Sequence, residues 1–292
     1  MGGKGNIHGF LIDMTYLQAK KSLGQNFLNS PGIAKKIVDI SGVTENDTVL
    51  EIGPGKGMLT EILLARAKKV VAIEKDSRAM PILQERFAAE IAAGKLELIE
   101  GDIMEWDPAT YGFGRPAQAK YAIVANIPYY ITGEVIRKFL TAGAKPSSMT
   151  LMLQKEVADR IVARDGKESL LSISVKVFGT PKYGMTVKAG SFTPAPTIDS
   201  AVLHIADISN DFFEPEHAKD GAQSGISISE SRFFEIVRAG FAHKRKQLGG
   251  NLSQIFEKAA VENALRTAGV SEKARSEDLN LEQWRKVVGM LF

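Results

Sequence analysis

Glu51-Ile52-Gly53-Pro54-Gly55-Lys56-Gly57 separates an apolar run, Thr48-Val49-Leu50, from an amphipathic stretch that begins at Met58. A buried strand that passes through a glycine-rich turn into a helix is the nucleotide-holding element of doubly wound α/β folds. The spacing is G-x-G-x-G, with Met58 standing where a dinucleotide fingerprint wants its third glycine. The loop therefore suits a small adenosine ligand better than a pyrophosphate. Roughly twenty residues on, where such folds bind ribose, a second apolar run, Val70-Val71-Ala72-Ile73, ends in Glu74. Its carboxylate can accept both ribose hydroxyls. The ligand that fits is S-adenosylmethionine, bound by Gly53, Gly55 and Glu74. A glycine loop can also be tight packing and nothing more, and it is the acid at the end of the next strand that favours a ligand.

With 292 residues, 44% of them hydrophobic, the chain has material for about two domains with a real core. No apolar run approaches the roughly 18 residues that cross a bilayer, and Gly9-Phe10-Leu11-Ile12 is too short for a signal-peptide core. A cytoplasmic protein without a membrane partner is expected. The absence of cysteine excludes disulfides, thiolate zinc sites and a cysteine nucleophile, and the 4 histidines form no close pair, so no metal is expected. A net charge of +3 is too mild to argue for nucleic acid by itself. Residues 1–13 are glycine-rich and precede a second methionine, Met14, and read as a disordered leader or extension.

The remainder predicts an α/β domain over 14–208 and a smaller α-helical domain over 209–292. Ser30-Pro31 reads as a cap with proline at the first helical position, opening a helix whose apolar face is Ile33, Ile37, Val38 and Ile40. Strand signals recur at 49–52, 70–73, 96–99, 121–125 and 150–153, alternating with helical patterns, which implies a mainly parallel sheet. Leu170 to Phe178 and Ala201 to Ile205 are expected to close that sheet as antiparallel strands. From Asn210 to Ser229 the chain is polar and turn-prone. Beyond it the apolar spacing is helical, ending in a helix capped by Asn280 with Gln283 reaching back, which buries Trp284, Val287, Val288 and Leu291.

Ligands of open α/β sheets bind outside the carboxyl ends of the strands. There the third strand runs into Gly101-Asp102-Ile103 and the fourth into Asn126-Ile127-Pro128-Tyr129. Asp102 can accept from an adenine amine while the Ile103 N–H donates to a ring nitrogen; the competing role for Asp102 is a turn or cap acid. Methylating a base amine is difficult because its lone pair is delocalised into the ring. The Asn126 side-chain oxygen and the Ile127 carbonyl can accept both amine hydrogens and free that lone pair for attack, with no strong base required. Pro128 holds Ile127 extended, and Tyr129 offers an aromatic face.

These motifs, with Gly24-Gln25-Asn26-Phe27-Leu28 and Phe192-Thr193-Pro194-Ala195-Pro196 followed by Asp199-Ser200-Ala201-Val202, resemble the rRNA adenine N6,N6-dimethyltransferases from about Lys20 to the C-terminus. The similarity is to the housekeeping branch, which dimethylates two adjacent adenosines in the terminal hairpin of small-subunit (16S) rRNA during ribosome biogenesis. It implies a Rossmann-like class I methyltransferase sheet and a monomer acting on rRNA in a pre-ribosomal 30S particle. It also implies a cofactor site of Gln25, Asn26, Leu28, Gly53, Gly55, Glu74, Asp102, Ile103 and Asn126, with Tyr129 and Phe192 sandwiching an extruded adenine. Phe27 and Leu28 could equally be core residues of an ordered N-terminal segment; Phe192 could be a core phenylalanine too, yet Pro194 and Pro196 favour an extended loop over a packed element.

The family's paired arginines before Thr-Leu are replaced here by His243-Lys244-Arg245-Lys246-Gln247-Leu248, which keeps the charge. Gly249-Gly250 follow, and Phe213 to Ile228 looks like an added loop. Lys244, Arg245 and Lys246 are the expected RNA contacts, with Lys20, Lys21, Arg232 and Arg238 as further candidates, against the ordinary alternative of a solvated helix face. Competing functions are a macrolide-resistance methyltransferase of large-subunit rRNA, a non-catalytic nucleic-acid-binding relative, and a small-molecule amine methyltransferase. The last would have little use for a basic helical tail.

Overall fold

The computed structural model describes residues 17–113, 120–214 and 228–291. Its strands are β1 (Phe27–Leu28), β2 (Thr48–Ile52), β3 (Lys69–Glu74), β4 (Leu96–Glu100), β5 (Tyr121–Asn126), β6 (Ser148–Gln154), β7 (Thr180–Val187), β8 (Phe192–Thr193) and β9 (Ser200–Ala206). Helices α1 (Pro31–Ser41), α2 (Met58–Arg66), α3 (Met80–Arg86), α4 (Ala88–Ala92), α5 (Thr132–Thr141), α6 (Lys155–Val162) and α7 (Leu170–Lys176) alternate with them. Helices α8 (Glu230–Gly240), α9 (Leu248–Leu252), α10 (Lys258–Thr267) and α11 (Leu281–Met290) follow the sheet.

Seven strands form one sheet in the order β4-β3-β2-β5-β6-β9-β7, parallel as far as β6 and antiparallel at β9 and β7. This is the Rossmann-like class I arrangement. The chain leaves β2 toward β3 on one side and returns to β5 on the other, so the crevice of the strand-order reversal opens at the carboxyl ends of β2 and β5. Period-two alternation divides the strands between two layers. Val49, Val70, Ala72, Ala122 and Val124 pack against α1, α2 and α3, whereas Leu50, Val71, Ile73, Ile123 and Ala125 face α5, α6 and α7. The second layer is continuous with Phe233, Val237, Leu252 and Trp284 of the C-terminal helices.

Ser30 occupies the N-cap of α1 in extended geometry with Pro31 behind it, although its hydroxyl makes no capping bond. Asn280 and Gln283 form a reciprocal capping box on α11, which buries Trp284, Val287 and Val288. One element is corrected: Leu170–Lys176 is a helix. Its Leu-Leu-Ser-Ile-Ser-Val alternation mimics a strand, but Ser169 caps the Ser172 N–H at 3.1 Å and the Ser172 hydroxyl takes the Ser169 N–H at 2.7 Å. That capping box nucleates the helix. The second antiparallel strand is instead β7, at the sheet edge, where Pro181 needs no ladder partner and the register shifts between Tyr183 and Met185. Residues 1–13, and most of the stretch from Phe213 to Ile228, lie outside the described residues.

Candidate active site

Three glycines let the chain turn at the end of β2. Gly55 has φ +58° and Gly57 φ +80°, in the left-handed region that side chains resist. Space excludes side chains too: a Cβ on Gly57 would come within 2.6 Å of the Phe87 ring, and one on Gly55 within 3.0 Å of Phe27. The loop is held from below by Glu74, whose Oε2 accepts the Gly55 N–H at 2.9 Å and whose Oε1 accepts the Asp76 N–H at 2.8 Å. Glu74 is 4% exposed, and burial pushes its carboxyl above the usual range while the two backbone donors pull it back. Each oxygen keeps a second lone-pair direction, so the carboxylate remains able to receive a ribose hydroxyl.

Above the loop lies a cavity of about 330 Å³. Every residue named for the cofactor lines it: Gln25, Asn26, Leu28, Gly53, Gly55, Glu74, Asp102, Ile103 and Asn126, together with Ile127, Pro128 and Tyr129. Asp102 fills the turn role and also lines the cavity. Its Oδ1 accepts the Met104 N–H at 2.9 Å, a turn-capping bond, and its Oδ2 lies 2.6 Å from Lys75 Nζ, which holds the carboxyl below the usual range. The Ile103 N–H makes no backbone hydrogen bond among the described residues and stays available to a ring nitrogen.

The Asn126 amide has a determinate orientation. Its Nδ2 donates to the main-chain oxygen of Asn26 at 3.1 Å, and only the nitrogen can satisfy a carbonyl there. Oδ1 makes no hydrogen bond among the described residues and is the acceptor that Asn126 offers. Beside it, the half-buried Tyr129 is anchored through its hydroxyl to Ser200 Oγ at 2.7 Å, and burial raises its pKa, which keeps the phenol neutral.

Phe192 departs from expectation. It is 4% exposed, lies in β8 paired with β1 (Leu28 opposite Phe192), belongs to the core under α1, and does not line the cavity. The ring packs in the core beside the Phe27–Leu28 strand, outside the cavity lining that includes Tyr129. Lys244, Arg245 and Lys246 are exposed on the turn between α8 and α9, with no ion pair among the described residues. Lys20, Lys21 and Arg238 are also exposed, whereas Arg232 is engaged with Glu235 and the Phe256 ring.

Two features of the site went unassigned in the sequence. Glu51 lines the cavity at 1% exposure, its Oε2 without a hydrogen-bond partner among the described residues, and burial, with the charge of Glu74 adding and the nearby Thr60 hydroxyl opposing, pushes its pKa up to about 8. An acid inside the apolar strand Thr48–Ile52 was the available signal. The other is the Ser200 anchor of Tyr129: Ser200 stands in the Asp199 to Val202 motif, but nothing in the sequence pairs it with Tyr129.

A buried carboxyl with no cation paired to it among the described residues, lining a cavity of this size, fits a cationic ligand. S-adenosylmethionine carries both a sulfonium and an ammonium.

The model of the ribosomal RNA adenine dimethylase family matches residues 16–291. A ribosomal RNA small subunit methyltransferase A of Dehalococcoides mccartyi (strain CBDB1) is 39% identical over 273 residues, covering 93% of this chain and 88% of its own. The protein of that name from Geobacillus thermodenitrificans is 37% identical over 281 residues, covering 94% and 91%. Among solved structures, a dimethyladenosine transferase from Plasmodium falciparum superposes with a TM-score of 0.73 at 28% identity, over 89% of this chain and 95% of its own. The 23S rRNA methyltransferase ErmE, at 23% identity and TM-score 0.71 over 91% and 99%, shares the fold.

Proposed function

The chain belongs to the ribosomal RNA adenine dimethylase family, and on that premise we propose that it dimethylates the exocyclic amines of two adjacent adenosines in the terminal hairpin of small-subunit rRNA. It is an S-adenosylmethionine-dependent rRNA methyltransferase, as its curated relatives are named for the small-subunit reaction. The bound cofactor supplies an electrophilic methyl group on sulfur. Glu74 and the Gly53 to Gly57 loop hold the ribose side, Asp102 and the Ile103 N–H hold the adenine, and Glu51 compensates positive charge.

Asn126 carries the catalytic reading. With Nδ2 committed to Asn26, Oδ1 and the Ile127 carbonyl receive the two hydrogens of the target amine, aim its lone pair along the line of attack, and disperse the positive charge that grows on the nitrogen. Tyr129 stacks on the extruded base. Tyr129, which lines the cavity, is the principal platform, and Phe192, buried at the β1–β8 pairing, is the second ring of the proposed sandwich. Lys244, Arg245 and Lys246 neutralise phosphates, and residues 209–292 form the RNA-engaging domain beside a methyltransferase domain over 14–208. The working setting is a monomer on a pre-ribosomal 30S particle in the cytoplasm.

Mass spectrometry of nuclease fragments from under-methylated 30S particles, incubated with the protein and S-adenosylmethionine, tests this reading. Two neighbouring dimethyladenosines in the terminal hairpin are expected. Modification of large-subunit rRNA alone would support the macrolide-resistance alternative.

A further inference from the structure

Asp76 is 3% exposed, and no step of methyl transfer uses it. Its Oδ1 accepts from the Arg78 backbone N–H at 3.2 Å and from Arg78 Nε at 2.9 Å. Its Oδ2 accepts from Arg78 Nη2 at 2.6 Å and from Gln25 Nε2 at 2.9 Å. These donors, Arg78 first, hold the carboxyl down at about 2, so it is charged throughout the working range. Gln25 Oε1 in turn accepts the Lys20 N–H at 2.8 Å, and Arg78 Nη2 also donates to the Gln18 carbonyl at 3.3 Å. The segment 17–28 is thereby fastened to the turn after β3, about fifty residues away in sequence (|i−j| = 51 for the Gln25–Asp76 bond).

One residue beyond Gln25, the same segment presents the Asn26 carbonyl that receives Asn126 Nδ2. A continuous path of hydrogen bonds and two peptide units therefore joins Asp76 to the acceptor amide. We propose that Asp76 and Arg78 are positioning residues for methyl transfer, holding segment 17–28 through Gln25 so that the Asn26 carbonyl fixes the Asn126 amide with its oxygen free for the target amine. The proposal rests on the acceptor role of Asn126. An asparagine released from its anchor samples several rotamers and both amide orientations. Most of them present nitrogen donors, or nothing, to an amine that needs acceptors. Misplacement on that scale costs roughly ten- to a hundred-fold in rate.

A purely structural latch would behave differently. Because the Asp76 N–H also supports Glu74, loss of that support alone would raise the KM for the cofactor and leave kcat at saturation intact. The test uses the full chain with Gln25→Ala, Arg78→Ala and Arg78→Lys. Arg78 has a side chain 41% exposed, so its replacement leaves the core untouched. Single-turnover rates on under-methylated 30S particles, at saturating cofactor and RNA, are read beside the side-chain amide signal of Asn126 in asparagine-labelled protein, identified by its disappearance in Asn126→Ala.

Both alanine variants should lose at least about tenfold in kcat and shift the Asn126 signal, Arg78→Lys should recover most of the rate, and the double variant should be no slower than the slower single. An unmoved Asn126 signal would overturn the latch itself. A shifted signal with unchanged kcat would trace the failure to the acceptor role assigned to Asn126. A raised cofactor KM as the sole effect would return Asp76 and Arg78 to the support of Glu74.

Discussion

Glu51→Gln is the substitution whose consequences the structure defines most fully. The Glu51 carboxyl, normally near 4.5, is pushed up to about 8 by burial and by Glu74. At pH 7 it is about nine-tenths protonated, and ionising it costs about 1.4 kcal/mol, the free energy of one pKa unit. A cation about 4 Å away, at an effective dielectric near 20, returns about 4 kcal/mol. Cofactor binding should therefore draw the proton off, with a net gain of about 2 to 3 kcal/mol. Calorimetry at pH 7 in buffers of different ionisation enthalpy should show close to one proton released per S-adenosylmethionine bound. Glu51→Gln should abolish the release and weaken binding by roughly 30- to 150-fold. Repeating the titration with S-adenosylhomocysteine, which lacks the sulfonium charge, identifies which cation Glu51 faces. Unchanged affinity and no proton release by the parental protein would refute the assignment. Folding stability shows the opposite face of the same linkage. Since the folded-state value lies above the unfolded one, the ionised form is the disfavoured one, and stability present below pH 4.5 declines as pH rises toward 8. The decline has an upper limit of roughly 5 kcal/mol, and Glu51→Gln should flatten it in a plot of Tm against pH.

Glu74→Ala removes a ribose acceptor and releases the Gly55 N–H, and should weaken cofactor binding by about 1.5 to 3 kcal/mol in the same calorimeter. Gly57→Ala combines a left-handed backbone with a Cβ at 2.6 Å from Phe87; denaturant unfolding should show a loss of about 2 to 4 kcal/mol, and an unaltered midpoint would contradict the packing. Changing Lys244, Arg245 and Lys246 together to Gln should lower the slope of log affinity for RNA against log salt by about 0.7 to 0.9 for each phosphate no longer neutralised, with cofactor affinity unchanged.

The parallel half of the fold was legible because its signals are local: the strands from β2 to β6 are short stretches rich in apolar residues, and Gly53, Gly55 and Gly57 mark the turn after β2. The antiparallel end was not, because Leu170 to Val175 alternates like a strand and only the Ser169–Ser172 pair, closing on itself, decides for helix. The cavity followed the same division. Glu74, Asp102 and Asn126 stand at strand ends, where sheet topology alone brings them together. The prolines after Phe192 pointed to an open loop, whereas its burial depends on the pairing of β8 with β1 across more than a hundred and sixty residues (|i−j| = 164 for the adjoining Asn29–Thr193 bond). The partners that orient Asn126, Tyr129 and Gln25 are Asn26, Ser200 and Asp76, and long-range hydrogen bonds of that kind leave no periodic trace.

Methyl transfer by the Asn126→Ala protein tests the account most directly. With labelled S-adenosylmethionine and under-methylated 30S particles, both saturating, the parental protein should modify adenosine in a single turnover. The variant should bind both partners and react roughly two to three orders of magnitude more slowly, the effect of deleting one preorganised hydrogen-bond partner of the transition state. A variant that transferred methyl groups at the parental rate would contradict the mechanism.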